Sequence, residues 1–421
     1  MFDKKKLFIG YLFYVTIISL CAFFFAFLFQ RKFYVLDNNY NIILENITFE
    51  FGNLLKNLFY NGNYYQIIEG TKFYLNKLPA VPLLLYFICK ISLNYFFVVI
   101  FKNIFLFSIY FFCSYFLVKD LKDRLLFISI LLIPIVIPYN FLVALNYVYE
   151  DNLIAIILPL LYLSLISENK NRFIFISLIL FTLYFIKTSM FLLVIIIPFF
   201  ILIIEKKIRV THKLLPLLFS ILAIVFWGYF GYFKTGRFPF GSAAASNNSY
   251  VLSFVLNKEF KNYYPDKSTD LIPVEKPEKP FNSEWEYYDY YNLKNKIYLR
   301  DNLSLYIKDI GLKLNFIFFG VHVDGNNSQN TNSVDNPIRY SSIFSKFFLN
   351  LSILLSIYVL VGNYRNLFKN KKELYFIAVA ILNLIPHIVG WATSKHLIGI
   401  SNISLIYLIF FIKDKYYVYN K

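Results

Sequence analysis

The stretch LFIGYLFYVTIISLCAFFFAFLF, residues 7–29, decides the fold of this 421-residue chain. It has no charged residue and exceeds the roughly 20 residues that an α-helix needs to cross a bilayer. The sequence MFDKKK precedes it, but the apolar run is too long for a signal peptide and lacks a small-residue cleavage pattern. We therefore interpret it as a first membrane helix, and similar runs recur along the whole chain.

The composition supports the same class. Hydrophobic residues make up 58% of the chain and charged residues 16%, against about 25% charged residues in soluble domains. The sequence predicts an all-α polytopic membrane protein with about 10–12 transmembrane helices. Its three cysteines all lie in apolar runs without a CxxC pair, so neither a disulfide framework nor a zinc site is indicated.

The formal net charge of +17 does not indicate nucleic-acid binding, because the basic residues occur in short clusters beside apolar runs. Under the positive-inside rule such clusters mark cytoplasmic loops and place both termini in the cytoplasm. The clusters lie at 4–6, 119–124, 170–172, 205–213, 365–372 and 413–421. The loops between them, which carry most other polar groups, then lie on the outer face of an inner (plasma) membrane.

Three regions follow from this topology: an N-terminal membrane module at 1–231 with a first outer loop at 30–94, a large outer loop at 232–345, and C-terminal membrane helices at 346–421. The large outer loop has over a hundred residues, which is too long for a simple connection. We therefore expect it to cover the membrane-embedded part.

Two segments of the first outer loop have a character of their own. The spacing of apolar residues over 44–65, which ends in an Asn-Gly turn, predicts an amphipathic helix lying along the membrane interface. The segment 79–94 cannot cross the membrane without reversing every later loop, so we interpret it as a half-crossing or dipping segment.

Several catalytic motifs are absent from the sequence. It contains no GxxxxGK[ST], no HExxH and no GxSxG, and its four histidines have no metal-ligand spacing. No cofactor or metal is required by any motif, although an acid cluster could hold a divalent metal. The substrate itself would then supply the energy that a reaction needs.

Outer carboxylates are the candidate catalytic groups. Glu45 and Glu50 lie in the first outer loop, and Glu150 and Asp151 are adjacent in YEDNL at 149–153. Near a low-dielectric interface the pKa of a carboxyl group is raised, which suits it to accept a proton from a hydroxyl group. The alternative for Glu150 and Asp151 is that they only cap the following helix and favour its macrodipole.

Outer cations are the candidate phosphate ligands: Lys72, Lys77, Lys187, Lys395 and His396. Cations at the mouth of a helix bundle suit a phosphate or pyrophosphate headgroup. The alternative is that lysines near helix ends extend to lipid headgroups without a specific role. That alternative is weaker for Lys187, because FIKTSM at 185–190 interrupts a nearly continuous apolar stretch.

An ordered series of motifs runs from the first helix to the last. It comprises ENITF (45–49), NLLKNLFYNGNY (53–64), NKLPAVPLLLY (76–86), FKNIFLFSIYFFCSYFLVKDL (101–121), YEDNL (149–153), FIKTSM (185–190), GYFKTGRFPFGSAAASNNSY (231–250) and TSKHLIGISNISLIYL (393–408). In this series the chain resembles the membrane-embedded C-type glycosyltransferases, close to family 39. That family includes protein O-mannosyltransferases and bacterial enzymes that transfer sugars from polyprenyl phosphate.

The resemblance implies a polyprenyl-phosphate-linked sugar donor and an active site on the periplasmic or extracytoplasmic side. The first-loop acid would be the general base, and cations such as Lys77 and Lys395 would hold the phosphate. Three departures accompany it. At Glu45 this chain has glutamate where the family usually has aspartate. At Asn76 it has asparagine where some relatives have an acid, and at Lys395 it has lysine where arginine is usual. Lysine keeps the charge but loses bidentate geometry.

The sequence thus predicts a cell-envelope glycosyltransferase that moves a sugar to a hydroxyl group of a glycan, lipid or protein. Two other functions stay open. An O-antigen polymerase or ligase would depend on the loop arginines Arg237, Arg300 and Arg339 rather than on the first-loop acids. A transporter or flippase of lipid-linked glycans would need polar residues deep in the bundle that are accessible from both sides.

Overall fold

The apolar runs form helices throughout the computed structural model of the protein. The structure describes residues 4–33, 36–44, 52–68, 70–118, 123–136, 150–169, 171–240, 281–319, 336–364, 370–389 and 396–419. Within these ranges lie fourteen α-helices and one two-stranded sheet.

The first 235 residues contain nine α-helices and both strands within the described ranges. These are α1 Lys4–Phe33, α2 Gly52–Asn61, β1 Gln66–Ile68, β2 Thr71–Phe73, α3 Ala80–Ile91, α4 Tyr95–Val118, α5 Arg124–Val136, α6 Asp151–Ile166, α7 Arg172–Ile186, α8 Phe191–Ile204 and α9 Val210–Thr235. The remaining described helices are α10 Glu284–Asp301, α11 Leu303–Phe319, α12 Asn336–Gly362, α13 Lys371–Val389 and α14 Leu397–Tyr419.

Among the residues that the structure describes, six helices are long and apolar enough to cross a membrane, namely α1, α4, α9, α12, α13 and α14. Five shorter apolar helices, α3 and α5 to α8, pack among them. The prediction of an all-α polytopic membrane protein is confirmed. Exposed phenylalanine and leucine side chains on the long helices, such as Phe13 and Phe226, suit contact with lipid.

Several helices extend beyond the apolar runs that predicted them. The first runs over Lys4–Phe33 rather than 7–29, and α12 begins at Asn336 rather than near 346. Backbone hydrogen bonds in a helix are local, so a helix continues into polar sequence until a residue stops it. At the end of α9 that residue is Gly236, whose φ of 76° is the left-handed conformation of a helix C-terminus.

Helix α6 is the centre of the bundle. All of its residues from Asp151 to Ile166 are buried. A helix that is apolar on every side has no solvent face and must be surrounded by other elements. It packs against α4, α7, α13 and α14, so its first residue lies in the middle of one end of the bundle.

Described residues in or beside several of the basic clusters meet at one end of the bundle, here named the basic end. The Ser167 hydroxyl donates to the Leu117 carbonyl (2.8 Å), and Arg172 pairs with Glu205 (2.7 Å). Two further pairs at this end are Lys413–Asp123 and Lys372–Asp414. The other end, here named the site end, contains the start of α6, the end of α7 and the start of α14. Which of the two ends faces the cytoplasm stays a prediction.

The described part of the first outer loop contains a short helix and a hairpin. Strands β1 and β2 pair antiparallel, with Gln66 opposite Phe73. Helix α2 ends at Asn61, before the predicted residue 65, and Gly62 takes a φ of 65° there. One side of α2 is buried through Leu54, Leu55 and Leu58, as an amphipathic helix requires.

Helix α3 has 12 residues, which span about 18 Å, less than the roughly 30 Å of hydrocarbon in a bilayer. It cannot cross a membrane alone. The interpretation of 79–94 as a half-crossing segment is compatible with this length, and its depth in the membrane stays a prediction.

The large loop is attached to the first outer loop through the start of α10. The Glu284 carboxylate accepts hydrogen bonds from the backbone N–H groups of Tyr74 and Leu75, each at 3.1 Å, and from the Tyr288 hydroxyl. The Thr71 hydroxyl donates to the Phe281 carbonyl (2.6 Å). These contacts hold two segments together that are about 200 residues apart in the sequence.

Candidate functional site

The acid pair lies at the start of α6. Glu150 precedes the helix, and its carbonyl accepts the N–H groups of Leu153 and Ile154. Its side chain makes no capping hydrogen bond. Asp151 lies in the first turn, where the helix dipole favours a negative charge. The Glu150 carboxylate therefore does not cap the helix, and the side chains of the pair are directed at other groups.

Lys187 is the cation that meets this pair. Helix α7 ends at Ile186, Lys187 takes an extended backbone conformation, and a 3₁₀ turn over Thr188–Met190 leads into α8. This break lets the lysine leave the apolar helix and reach α6. Its Nζ lies 2.8 Å from Asp151 Oδ1 and 3.9 Å from Glu150 Oε2. The interruption of the apolar stretch at FIKTSM is thus a break between two short helices.

His396 joins the cluster from the start of α14. Its Nε2 lies 4.0 Å from Asp151 Oδ1. Its ring stacks on that of His387 from α13, with centroids 3.6 Å apart, and its carbonyl accepts from the Asn383 amide. His387 was not among the predicted site residues, and the stacked ring brings it to the edge of the site. The contact between the two rings is visible only in the structure, because the two histidines are nine positions apart in the sequence.

The first outer loop reaches the same place through Tyr64. Its hydroxyl donates to the Lys77 carbonyl (2.7 Å), and its ring packs edge-on against Trp227 and Phe230 of α9. Burial, and secondarily the negative charge of Glu150, raise the pKa of Tyr64 well above its usual value. Tyr64 was not among the predicted site residues. Nothing in its local sequence distinguishes it from the other tyrosines of the chain.

The remaining candidates fall into two groups. Lys77 is buried beside Tyr64, whereas Lys72 is exposed on β2, with its Nζ 5.2 Å from the centroid of the Tyr65 ring. Glu45, Glu50 and Lys395 lie outside the described residues. The structure thus brings together Glu150, Asp151, Lys187 and His396, with Lys77 linked to them through Tyr64.

The two acids of the pair differ in access. The Asp151 side chain is 6% exposed and bonded to Lys187, while the side chains of Glu150 and Lys187 are each 17% exposed. Removing one partner of a buried ion pair leaves a charge without compensation. Asp151 is therefore suited to hold Lys187 in place, and Glu150 is the acid of the pair more open to a substrate.

Within the described ranges, no group of three or more His, Cys, Asp or Glu side chains is placed to hold a metal ion. The expectation that no metal is required stays a prediction. Comparisons of the chain with protein-family models, with curated proteins and with solved structures gave no match.

In chemical terms, the site offers a carboxylate, a lysine and an imidazole at the mouth of a helix bundle. A carboxylate can accept a hydroxyl proton, and cations can stabilise a departing phosphate. Walls of aromatic side chains from α9 and the first loop lower the local dielectric constant and strengthen such interactions. Acid–base chemistry on an anionic, membrane-borne substrate fits this set of groups.

Proposed function

We propose that the protein is a glycosyltransferase that moves one sugar from a polyprenyl-phosphate donor to a hydroxyl acceptor at the outer face of the membrane. The observation that carries the proposal is the convergence of Glu150, Asp151, Lys187 and His396 at the site end. The starts of two helices, α6 and α14, and the joint between α7 and α8 supply these groups, which lie beside the first outer loop. The family resemblance of the motifs supports the same reaction.

In the proposed reaction, the acceptor oxygen attacks the anomeric carbon of the donor sugar. The bond from that carbon to the phosphate oxygen breaks, and the lipid phosphate leaves with the electron pair. Direct attack inverts the configuration at the anomeric carbon. Because a phosphate is already a good leaving group, positioning and charge stabilisation supply most of the reduction of the barrier.

The acceptor proton passes to a carboxylate. The resemblance assigns this role to Glu45 or Glu50, and the exposure of Glu150 makes it the candidate among the described acids of the pair. Asp151 would orient Lys187 rather than react. Lys72, Lys77, Lys395 and His396 are the proposed phosphate ligands, with Lys187 available to a phosphate only on the side that faces away from Asp151.

The alternative of an O-antigen polymerase or ligase rested on loop arginines. Arg237 pairs with Asp289 and Arg300 with Asp301, both in largely exposed positions, and the side chain of Arg339 lies outside what the structure describes. Exposed ion pairs of this kind contribute little to stability and are easily replaced by other partners. These two arginine contacts therefore do not separate a polymerase from a transferase, and the variants described next do so.

The test compares lipid-linked and surface glycans of cells with the wild-type protein, a deletion, and the variants Glu45→Gln, Glu50→Gln, Glu150→Gln and Asp151→Asn. Asp414→Asn at the basic end is the matched control for loss of one carboxylate. We expect at least one site-end variant, present at normal level in the membrane, to abolish a single sugar addition while the polyprenyl-phosphate donor accumulates.

Other outcomes would point elsewhere. If all four acid variants retain the wild-type glycans while the deletion changes polymer length, a polymerase replaces the transferase. If the deletion instead traps complete lipid-linked glycans on the inner face, the protein is a transporter.

A further inference from the structure

The start of α10 carries a buried carboxylate that the proposed reaction does not use. Glu284 is 3% exposed. Its Oε2 accepts the backbone N–H groups of Tyr74 and Leu75, each at 3.1 Å, and the Tyr288 hydroxyl at 3.2 Å. Hydrogen bonds to a charged acceptor are roughly twice as strong as neutral ones. The backbone at 74–75 is therefore held firmly by a side chain of the large outer loop.

The segment held in this way lies outside regular secondary structure. It follows β2, which ends at Phe73, and precedes α3, which begins at Ala80. The position of such a segment depends on the groups that bind its backbone and cover its side chains. The Leu75 side chain is buried against α9, where a Cβ on Gly231 would lie 3.1 Å from Leu75 Cδ2. Glu284 and α9 thus fix the first half of the segment.

The second half of the segment contains Lys77, a proposed ligand of the donor phosphate. Lys77 is 9% exposed, and its carbonyl accepts the Tyr64 hydroxyl at 2.7 Å. Tyr64 in turn lies close enough to Glu150 for that charge to contribute to its raised pKa. Two residues of extended chain span about 7 Å, so a shift of the backbone at Leu75 is transmitted directly to Lys77.

Helix α10 is itself held in place by contacts other than those of Glu284. The Trp285 indole N–H donates to the Thr235 hydroxyl at the end of α9 (2.7 Å). The ring of Tyr287 packs edge-on against that of Phe73, with centroids 5.1 Å apart. The Glu284 carboxylate is therefore presented from a fixed helix, as a group that orients binding residues should be.

We infer that Glu284 is a positioning residue of the donor site: it fixes the backbone at 74–77 and thereby the place of Lys77 beside the lipid phosphate. The inference rests on the proposed function, which makes Lys77 a phosphate ligand. A lysine has a flexible four-carbon stem, so its ammonium group binds a phosphate well only if its backbone is held. The large outer loop would then contribute to donor binding without touching the donor.

Binding of a lipid phosphate tests this coupling. The full-length protein in lipid nanodiscs is titrated with a polyprenyl phosphate, and with the uncharged polyprenol as the reference. We expect Glu284→Ala and Lys77→Ala each to weaken phosphate-dependent binding about tenfold. The double variant should bind no more weakly than Lys77→Ala alone, because Glu284 acts through Lys77.

Two further variants separate positioning from general damage to α10. Glu284→Gln keeps an acceptor oxygen for the two N–H groups and should retain most of the affinity. Asp289→Asn is the matched control, because Asp289 is an exposed carboxylate of the same helix and pairs with Arg237. It should leave the affinity unchanged. If Glu284→Ala does not accumulate in membranes, Glu284→Asp, which is one methylene shorter, takes its place.

Hydrogen exchange of the substrate-free protein measures the structural step by itself. Exchange over 74–77 should rise in Glu284→Ala and stay at the wild-type level in Asp289→Asn. Equal exchange in the two variants would overturn the inference. So would a rise in exchange with unchanged phosphate affinity, provided that Lys77→Ala weakens binding.

The binding results also distinguish this inference from the proposed function. If the losses in Glu284→Ala and Lys77→Ala add in the double variant, Glu284 does not act through Lys77, and the inference alone is wrong. If the wild-type protein binds the polyprenyl phosphate no better than the polyprenol, the proposed donor is wrong, and the role of Glu284 in binding it is wrong as well.

Discussion

Lys187 Nζ lies 2.8 Å from Asp151 Oδ1 although 36 residues separate the two in sequence. The pair links the joint between α7 and α8 to the first turn of α6. Both side chains lie at an end of a bundle whose surroundings are apolar, so the interaction is little screened by water. This single contact assembles a charged site from two segments that each look like an ordinary membrane helix.

We expect Lys187→Met to lower the stability of the protein by about 3 kcal/mol, because it leaves the buried Asp151 charge without its partner. The double variant Lys187→Met/Asp151→Asn should recover part of this loss, since no uncompensated charge remains. Thermal unfolding in detergent measures both. Equal losses in the single and double variants would show that the lysine matters for packing and not for charge.

At the basic end, the buried pair Arg172–Glu205 should matter more than the exposed pair Lys372–Asp414. The Arg172 and Glu205 side chains are 5% and 10% exposed, and Arg172 also donates to the Leu165 and Ser167 carbonyls. Arg172→Met should cost about 3–5 kcal/mol. The control Lys372→Met should cost about 1 kcal/mol or less. Unfolding curves that show similar losses for the two variants would contradict this ranking.

The attachment of the large loop should weaken as the pH rises. Burial raises the pKa of Glu284 above its usual value, although hydrogen bonds from Leu75, Tyr74 and Tyr288 oppose the shift. A carboxyl group whose pKa is raised in the folded state makes its full contribution to the stability of that state at pH values below its unfolded pKa of about 4.3. That contribution is lost as the pH rises through the raised pKa, because the folded state then loses a proton that it binds more tightly than the unfolded state does.

Hydrogen exchange at the Tyr74 and Leu75 amides, corrected for the intrinsic rate, measures this dependence. Protection should fall with rising pH in the wild-type protein. In Glu284→Gln the side chain keeps one acceptor oxygen and does not titrate, so its protection should be independent of pH. A pH-dependent loss of the same size in that variant would assign the effect to another group.

Gly231 should not tolerate a side chain. A Cβ at this position would lie 2.4 Å from ring atoms of Pro239, whereas Gly311 has open space around it. We expect Gly231→Ala to displace the turn after α9 and to cost about 1–3 kcal/mol. Gly311→Ala, within α11, should instead be neutral or stabilising by about 0.5–1 kcal/mol. Thermal unfolding of the two variants tests the contrast.

The sequence determined the class of the protein because its signals are local. Run length and composition identify membrane helices, and the positions of Lys and Arg identify one set of loops, without knowledge of which helices touch. The same patterns placed Glu150, Asp151, Lys187 and His396 in loops of one face, and the structure finds them at one end of the bundle.

Only the tertiary structure decided which of these groups meet. The contact of Lys187 with Asp151, the stacking of His387 on His396, and the approach of Tyr64 to Glu150 depend on the order and register of packed helices. Run length and composition are almost unchanged when helices exchange neighbours, so they carry no information on such contacts.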